Sequence, residues 1–260
     1  MIYEPDSVAV PSPPLQLSVR LPLARPWVTY VLLAVVGLAF IGETVLGGST
    51  NVYTLVGLGA QVNALVAQGA YWRLLSAMFL HIGLMHLAFN GWALFSLGRE
   101  VEALYGSGRF TVIYLLAGLF GGLATYLAGL EGLSAGASGA IFGLVGAEIA
   151  YFLRNRRLFG AFSKQQLANL FTLVGINLVF GFTLAGVNNW AHLGGLAAGF
   201  ALGWGLTPRY LLAWGDFVDD GGELVRRPLM FDANPVWRRA LVVLVAVLLL
   251  MAGLWLGCRP

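Results

Sequence analysis

Seven segments of this sequence are apolar over roughly the ~20 residues that a helix needs to cross a bilayer: 27–46, 82–104, 109–129, 138–153, 167–187, 190–207 and 237–257. The segment 138–153 is short for a full crossing. Its helix is expected to start below one membrane surface, which is tolerated only where protein or a watery cavity shelters the backbone. Composition points the same way. Of 260 residues, 58% are hydrophobic and 10% charged, with a mean hydropathy of +0.79. A water-facing domain carries about 25% charged residues, so a soluble globular fold is excluded, and an all-α polytopic membrane helix bundle is expected. Residues 1–26 read as an N-terminal tail with prolines and without the basic start and continuous apolar run of a cleavable signal. Residues 27–207 read as a six-span core, 208–236 as a linker, and 237–260 as a seventh span with its C-terminus.

Charge then orients the chain. With seven alternating spans, Arg20, Arg25, Arg99, Arg109, Arg154, Arg156, Arg157, Lys164, Arg209, Arg226, Arg227, Arg238 and Arg239 all fall on one side. Only Arg73 and Arg259 fall on the other. Basic residues favour the cytoplasmic side, so a cytoplasmic N-terminus is expected, with a bacterial plasma membrane as the location. The net charge of +3 gives no reason to expect nucleic acid as a partner. Cys258 is the single cysteine, so no internal disulfide can form. The long first loop, 47–81, is hydrophobic and is expected to lie in the interface, with Trp72 at headgroup level. Asp219-Asp220-Gly221-Gly222, between Phe217-Val218 and Leu224-Val225, predicts a hairpin turn.

Polar side chains inside apolar spans are costly and mark a working site or a watery cavity by default. Five stand out: His86, Asn90, Ser138, Asn177 and His192. Ser138 sits at a helix start among Gly136, Ala137, Gly139 and Gly143, where unpaired backbone N–H groups and the helix dipole favour a developing negative charge. Read alone, it is equally a plain N-cap. His192 follows Asn189-Trp190-Ala191 near the same membrane face, and read alone it is a histidine bonded to a loop carbonyl. The two gain meaning together. Gly139 and Gly143 form one small-residue ridge, Gly195, Gly199 and Gly203 another, and such ridges let helices approach closely, as a Ser–His hydrogen bond requires. Glu148 is the only acid within the fourth span and lies ~15 Å down the helix from Ser138, so a Ser–His dyad is the economical reading. His86 and Asn90, four apart, share a helix face and are positioned to donate to an oxyanion. His81, about 140° from His86 on a continuous helix, is expected to point elsewhere and tie the first loop to the second span. No His-Glu-x-x-His pattern exists, so neither a metal nor any other cofactor is expected.

These residues resemble the rhomboid family of intramembrane serine proteases. The resemblance rests on Trp72-Arg73, His81-x4-His86-x3-Asn90, Gly98-x3-Glu102, Gly136-x-Ser138-Gly139 and Ala191-His192-x2-Gly195-x3-Gly199, in order, over residues 70–205. It implies a six-helix rhomboid-like core plus one C-terminal helix, and hydrolysis of peptide bonds in or beside the transmembrane segments of substrate proteins in the lipid bilayer. It further implies Ser138 as nucleophile, His192 as base, and His86, Asn90 and the Ser138 backbone N–H as the oxyanion site. Trp72 and Arg73 would belong to the lateral first loop, Glu102 to a structural turn, and span five to a substrate gate. Phe142 stands where the family often has an aromatic packed on the base. Ala70 and Tyr71 stand where an acid often precedes the Trp-Arg pair. The rival expectations are an inert rhomboid-like protein that holds membrane helices without cutting them, and a transporter, for which no internal repeat is visible.

Overall fold

The structure is a computed structural model describing residues 23–183, 186–218 and 221–257. Residues 1–22 of the tail expected over 1–26, Leu184 and Ala185 of the expected fifth span, the turn residues Asp219 and Asp220, and Cys258 and Arg259 lie outside the described residues. Two compact units are present: the helical unit, 23–208 with 234–260, and a hairpin unit that includes 209–233.

In chain order the helical unit holds α1 (Trp27–Val45), α2 (Val52–Leu58), β1 (Gln61–Val62), α3 (Asn63–Ala67), α4 (Arg73–Ser76) with a 3-10 turn (Ala77–Phe79), and α5 (Gly83–Ala93). A π turn (Leu94–Gly98) joins α5 to α6 (Arg99–Tyr105), followed by α7 (Ser107–Leu127), β2 (Leu133–Ser134), α8 (Ser138–Arg154), α9 (Arg156–Phe159), α10 (Ala161–Thr183) and α11 (Asn189–Leu206). After the hairpin strands β3 (Tyr210–Val218) and β4 (Leu224–Asp232), α12 (Val236–Gly257) completes it. Helices α1, α7, α10 and α12 are each long and apolar enough to cross a membrane. The segments Arg73–Phe79 and Gly83–Tyr105, which meet at 91°, make a fifth if counted as one broken span.

Helix α8 is short because its solvent is protein: every residue from Gly139 to Phe152 is buried. Around it, α7 and α11 approach through glycine. A Cβ on Gly195 would run into the Gly139 carbonyl, one on Gly199 into the Gly143 carbonyl, and one on Gly203 would lie 2.6 Å from Ala147 Cα. Both partner series ascend together, so α8 and α11 run parallel and their N-termini share one end. On the other flank, Gly121 of α7 would place a Cβ 2.8 Å from the Ala191 carbonyl. These contacts realise the two ridges expected from the sequence.

The Gly98-x3-Glu102 spacing also has a physical cause. The π turn lets Gly98 close on Thr29, whose Cγ2 would be 2.9 Å from an added Cβ. One turn on, the buried Glu102 carboxylate accepts from Val28 N (3.0 Å), Thr29 N (2.8 Å), Thr29 Oγ1 (2.8 Å) and Ser107 Oγ (2.7 Å). Pro26, at the N-cap of α1, supplies no side-chain cap. Glu102 therefore caps α1 from a distant helix. Replacing it with alanine strands buried donors at about 1–3 kcal/mol each. Glu102→Ala is expected to lower stability by at least ~3 kcal/mol in thermal unfolding in detergent, and Glu102→Gln, which keeps an acceptor oxygen, by less.

The first loop is folded rather than merely interfacial. Arg73 Nη1 donates to the Val56 (2.7 Å) and Ala60 (3.0 Å) carbonyls, satisfying the end of α2, and its guanidinium stacks on Trp72, which is half exposed. Gln61 and Asn63 bind the Gly122, Thr125 and Leu130 carbonyls at the end of α7. The fifth span starts at Ala161, earlier than expected, so Lys164 lies within α10 rather than in a loop. Ser163, bonded to the Phe152 carbonyl, anchors that added turn to α8.

The hairpin pairs Tyr210 with Asp232 through Val218 with Leu224, as the Asp-Asp-Gly-Gly signal predicts. The segment expected as a linker is therefore mostly strand.

Candidate active site

Ser138 is the first residue of α8, after Ala137, an N-cap with no side-chain bond to offer. The first N–H to find an intrahelical carbonyl is that of Ile141, on Ala137 at 3.0 Å. The preceding N–H groups are thus directed outward around a half-buried hydroxyl. Upstream, the strand pairing of Ser134 with Gln61 and the bond from Gly136 N to the Ala77 carbonyl (2.9 Å) set where α8 begins. Gly136 has φ +132°, and an added Cβ would meet His86 Cε1 at 2.7 Å and Nε2 at 2.9 Å. Only glycine admits both that backbone and that neighbour.

His192 lies in the first turn of α11, buried, its ring stacked on Phe142 with centroids 4.2 Å apart and planes 3° from parallel. Phe142 is one turn after Ser138 on the same face of α8. The parallel α8–α11 pair therefore brings hydroxyl and imidazole to one end of the bundle. No hydrogen bond joins Ser138 to His192 among the described residues, and His192 Nδ1 is buried without a partner there. Catalytic hydrogen bonds are commonly long before substrate binds.

His86 stands on α5. Its Nδ1 accepts from Ile82 N at 3.3 Å, which leaves the ring proton on Nε2, the nitrogen against Gly136. Asn90, buried one turn on, donates from Nδ2 to the His86 carbonyl (2.9 Å), and its Oδ1 has no partner among the described residues. His81 departs from expectation. Helix α5 begins only at Gly83, so the 140° offset never applies, and the His81 ring lies 5.3 Å from that of His86. Its backbone N–H donates to the buried Glu43 of α1 at 3.0 Å, and its Nδ1 lies 3.3 Å from the Phe79 carbonyl. The loop-to-helix tie is therefore real, but made with α1.

Asn188 is a residue the sequence reading passed over. Its Oδ1 caps α11 by accepting from Ala191 N (3.1 Å), while its Nδ2 donates to Thr125 Oγ1 (2.8 Å) and Ser134 Oγ (3.2 Å). One amide thus fixes the start of the His192 helix to the turn leading into Ser138. An asparagine immediately before an apolar run is the N-cap signal that would have found it. Asn189, which opens the stretch leading to His192, instead bonds the Leu178 carbonyl of α10 at 3.2 Å. A cavity of about 30 Å³ lies behind the site, lined by Gln61, Thr125, Ser134, Gly136, Gly139 and Ala191 among others. Its wall is mixed, with polar groups from Gln61, Thr125 and Ser134, and it is large enough for a water molecule. Glu148 lies far down α8, buried. Among the described residues no group of three or more His, Cys, Asp or Glu side chains could hold a metal ion.

Fold and site together define a helical membrane-bundle protein with hydroxyl, imidazole and free N–H groups gathered at one end. The rhomboid domain model matches residues 68–209. Rhomboid protease GluP of Bacillus subtilis is 47% identical over 176 residues, 68% of this chain and 34% of that protein. RHOMBOID-like protein 6, mitochondrial, of Arabidopsis thaliana is 36% identical over 82% of this chain and 67% of its own length. The putative rhomboid protease YdcA of Bacillus subtilis is 36% identical over 53% of this chain and 68% of its own. This chain belongs to the rhomboid family and is an integral membrane protein. It spans about a third of GluP and between 38% and 67% of the Arabidopsis thaliana relatives it matches.

Proposed function

We propose that this protein is an intramembrane serine endopeptidase that cleaves transmembrane segments of other membrane proteins through a Ser138–His192 dyad. The observation that carries this reading is the stacking of His192 on Phe142, one turn below the serine that opens the parallel neighbouring helix. His192 takes the Ser138 proton as Oγ attacks the scissile carbonyl. His86 Nε2–H, one remaining amide hydrogen of Asn90 and the free N–H groups at the start of α8 receive the oxyanion. The C–N bond then breaks, His192 returns the proton to the leaving amine, and a water activated by the same imidazole releases the acyl group. No carboxylate and no metal takes part.

The remaining assignments follow from this reading. Seven helices cross the membrane, with α8 and α11 completed as spans by the protein around them. The N-terminus faces the cytoplasm and the bacterial plasma membrane is the location. The lightly buried α10 is the lateral entrance for substrate. Similarity to a named protease supports the activity.

The test is reconstitution in liposomes with a single-span reporter, with and without a chelator. The reading predicts cleavage that the chelator leaves unchanged. Absence of cleavage by the folded protein with varied reporters favours the inert reading, and loss on chelation overturns the mechanism. His86→Ala is expected to lower kcat by about 10²–10³-fold, the usual cost of one oxyanion donor, with little change in KM.

A further inference from the structure

We infer that Asn189 is the latch on the lateral entrance: its side-chain amide holds the end of α10 that lies beside His192. The two halves of α10 are secured differently. In the first half Ser163 and Leu170 are buried, Ser163 Oγ donates to the Phe152 carbonyl at 3.0 Å, and Gln166 Nε2 reaches Glu100 Oε1 at 3.5 Å. In the second half, 171–183, no residue is buried, and Ile176, Val179, Phe180 and Phe182 are each at least half exposed. The side chains of Asn177 and Thr183 bond to carbonyls of their own helix. Among the described residues, the bond from Asn189 Nδ2 to the Leu178 carbonyl, at 3.2 Å, is the one hydrogen bond that joins this half to another element.

The bond is built to release. Asn189 is buried at the first position of α11, yet its Oδ1 has no partner among the described residues. A buried acceptor left dry is costly. Closure therefore gains one donor bond and leaves one carbonyl unsatisfied, whereas parting of the helices exposes both groups to new partners. Gly181 makes the contact possible. A Cβ there would run into Asn189 Oδ1 and lie 2.6 Å from its Cγ. Any side chain at 181 forces the amide to swing or α10 to withdraw, and either response breaks the Leu178 bond. Helix α10 is thus anchored at the end away from Ser138 and held by one bond, over a glycine, at the end beside His192. A substrate helix is ~10–12 Å across, and only the latched end can open that far with the Ser163 anchor intact.

That role rests on α10 being the entrance, and the test separates the two. In full-length protein with Cys258→Ala, spin labels at Phe182→Cys on α10 and Leu127→Cys at the end of α7, both exposed positions, report the gap in nanodiscs without any cleavage. Asn189→Ala and Gly181→Ala are each expected to enlarge the population whose distance is longer by about a helix diameter, ~10 Å. The enlargement should be roughly 2–10-fold, the weight of one net hydrogen bond. The double variant should add nothing, because without the amide the new Cβ meets no obstacle. Each single variant should raise kcat/KM on the single-span reporter by a similar factor. Fluorophosphonate labelling of Ser138 should stay unchanged, since a small water-borne probe needs no lateral opening. Unchanged distances in both single variants, or additive effects in the double, overturn the latch whatever the cleavage. Longer distances without faster reporter cleavage overturn its place at the entrance. A parent protein that cleaves nothing condemns the protease reading instead, and the distances then decide the latch alone.

Discussion

Ser138→Ala and His192→Ala are each expected to lower cleavage of the liposome reporter by on the order of 10³-fold or more, and the double variant by no more than either alone. In the proposed dyad the nucleophile and its base act as one unit, so removing either removes the same step. What survives is the contribution of oxyanion donors and substrate positioning. The fold should tolerate both changes. Ser138 supplies no side-chain cap to α8. His192 leaves a gap beside Phe142, but the adjoining helix contact is made by Gly139, Gly195 and Ala191 backbone atoms. Unchanged thermal unfolding together with lost cleavage is the expected pair of results, with Phe142→Ala in between because it frees the imidazole without removing it. Additive losses in the double variant would mean that the residues do not act together.

A second large effect concerns the helix contact itself. Gly195→Val is expected to destabilise by about 3 kcal/mol or more, since overpacking a tight core costs 1–3 kcal/mol even where side chains can yield. Here the obstacle is the Gly139 carbonyl, which cannot rotate away. Gly199→Val faces the Gly143 carbonyl in the same way. The control lies on α10: an added Cβ at Gly175 meets nothing within 4 Å, so Gly175→Ala should be neutral or slightly stabilising through helix propensity. Because α8 carries Ser138 and α11 carries His192, the valine variants should lose cleavage along with stability. Thermal unfolding in detergent, read beside reporter cleavage, checks both.

The helices and the glycine ridges were legible because lipid and close packing impose simple patterns: long apolar runs, and small residues every fourth position. The shared end of Ser138 and His192 followed from counting spans, and the parallel α8–α11 pairing places both residues at one end of the bundle. Phe142 beside His192 was foreseen through family resemblance, and a ring four residues from the serine is all that periodicity alone would yield. The first loop was not legible. Its short helices are held by side chain-to-backbone bonds across long separations, such as Arg73 to Val56 and Gln61 to Gly122, which leave no periodic trace. His81 was misplaced because helical spacing was carried through Gly83, where φ of +80° starts a new segment. Asn188 was overshadowed by its neighbour Asn189, although the amide at the cap position binds both lead-in turns. Glu102 was expected at a structural turn, but its service as the cap of α1 depends on a contact 73 residues away.

The central claim is that Ser138 is a nucleophile because His192 activates it. Its most direct test is mass-spectrometric mapping of a fluorophosphonate adduct on the folded protein in nanodiscs. A single adduct on Ser138, lost in a His192→Ala protein of unchanged unfolding temperature, is the predicted result. An adduct on another residue, or equal labelling of Ser138 without His192, would contradict it.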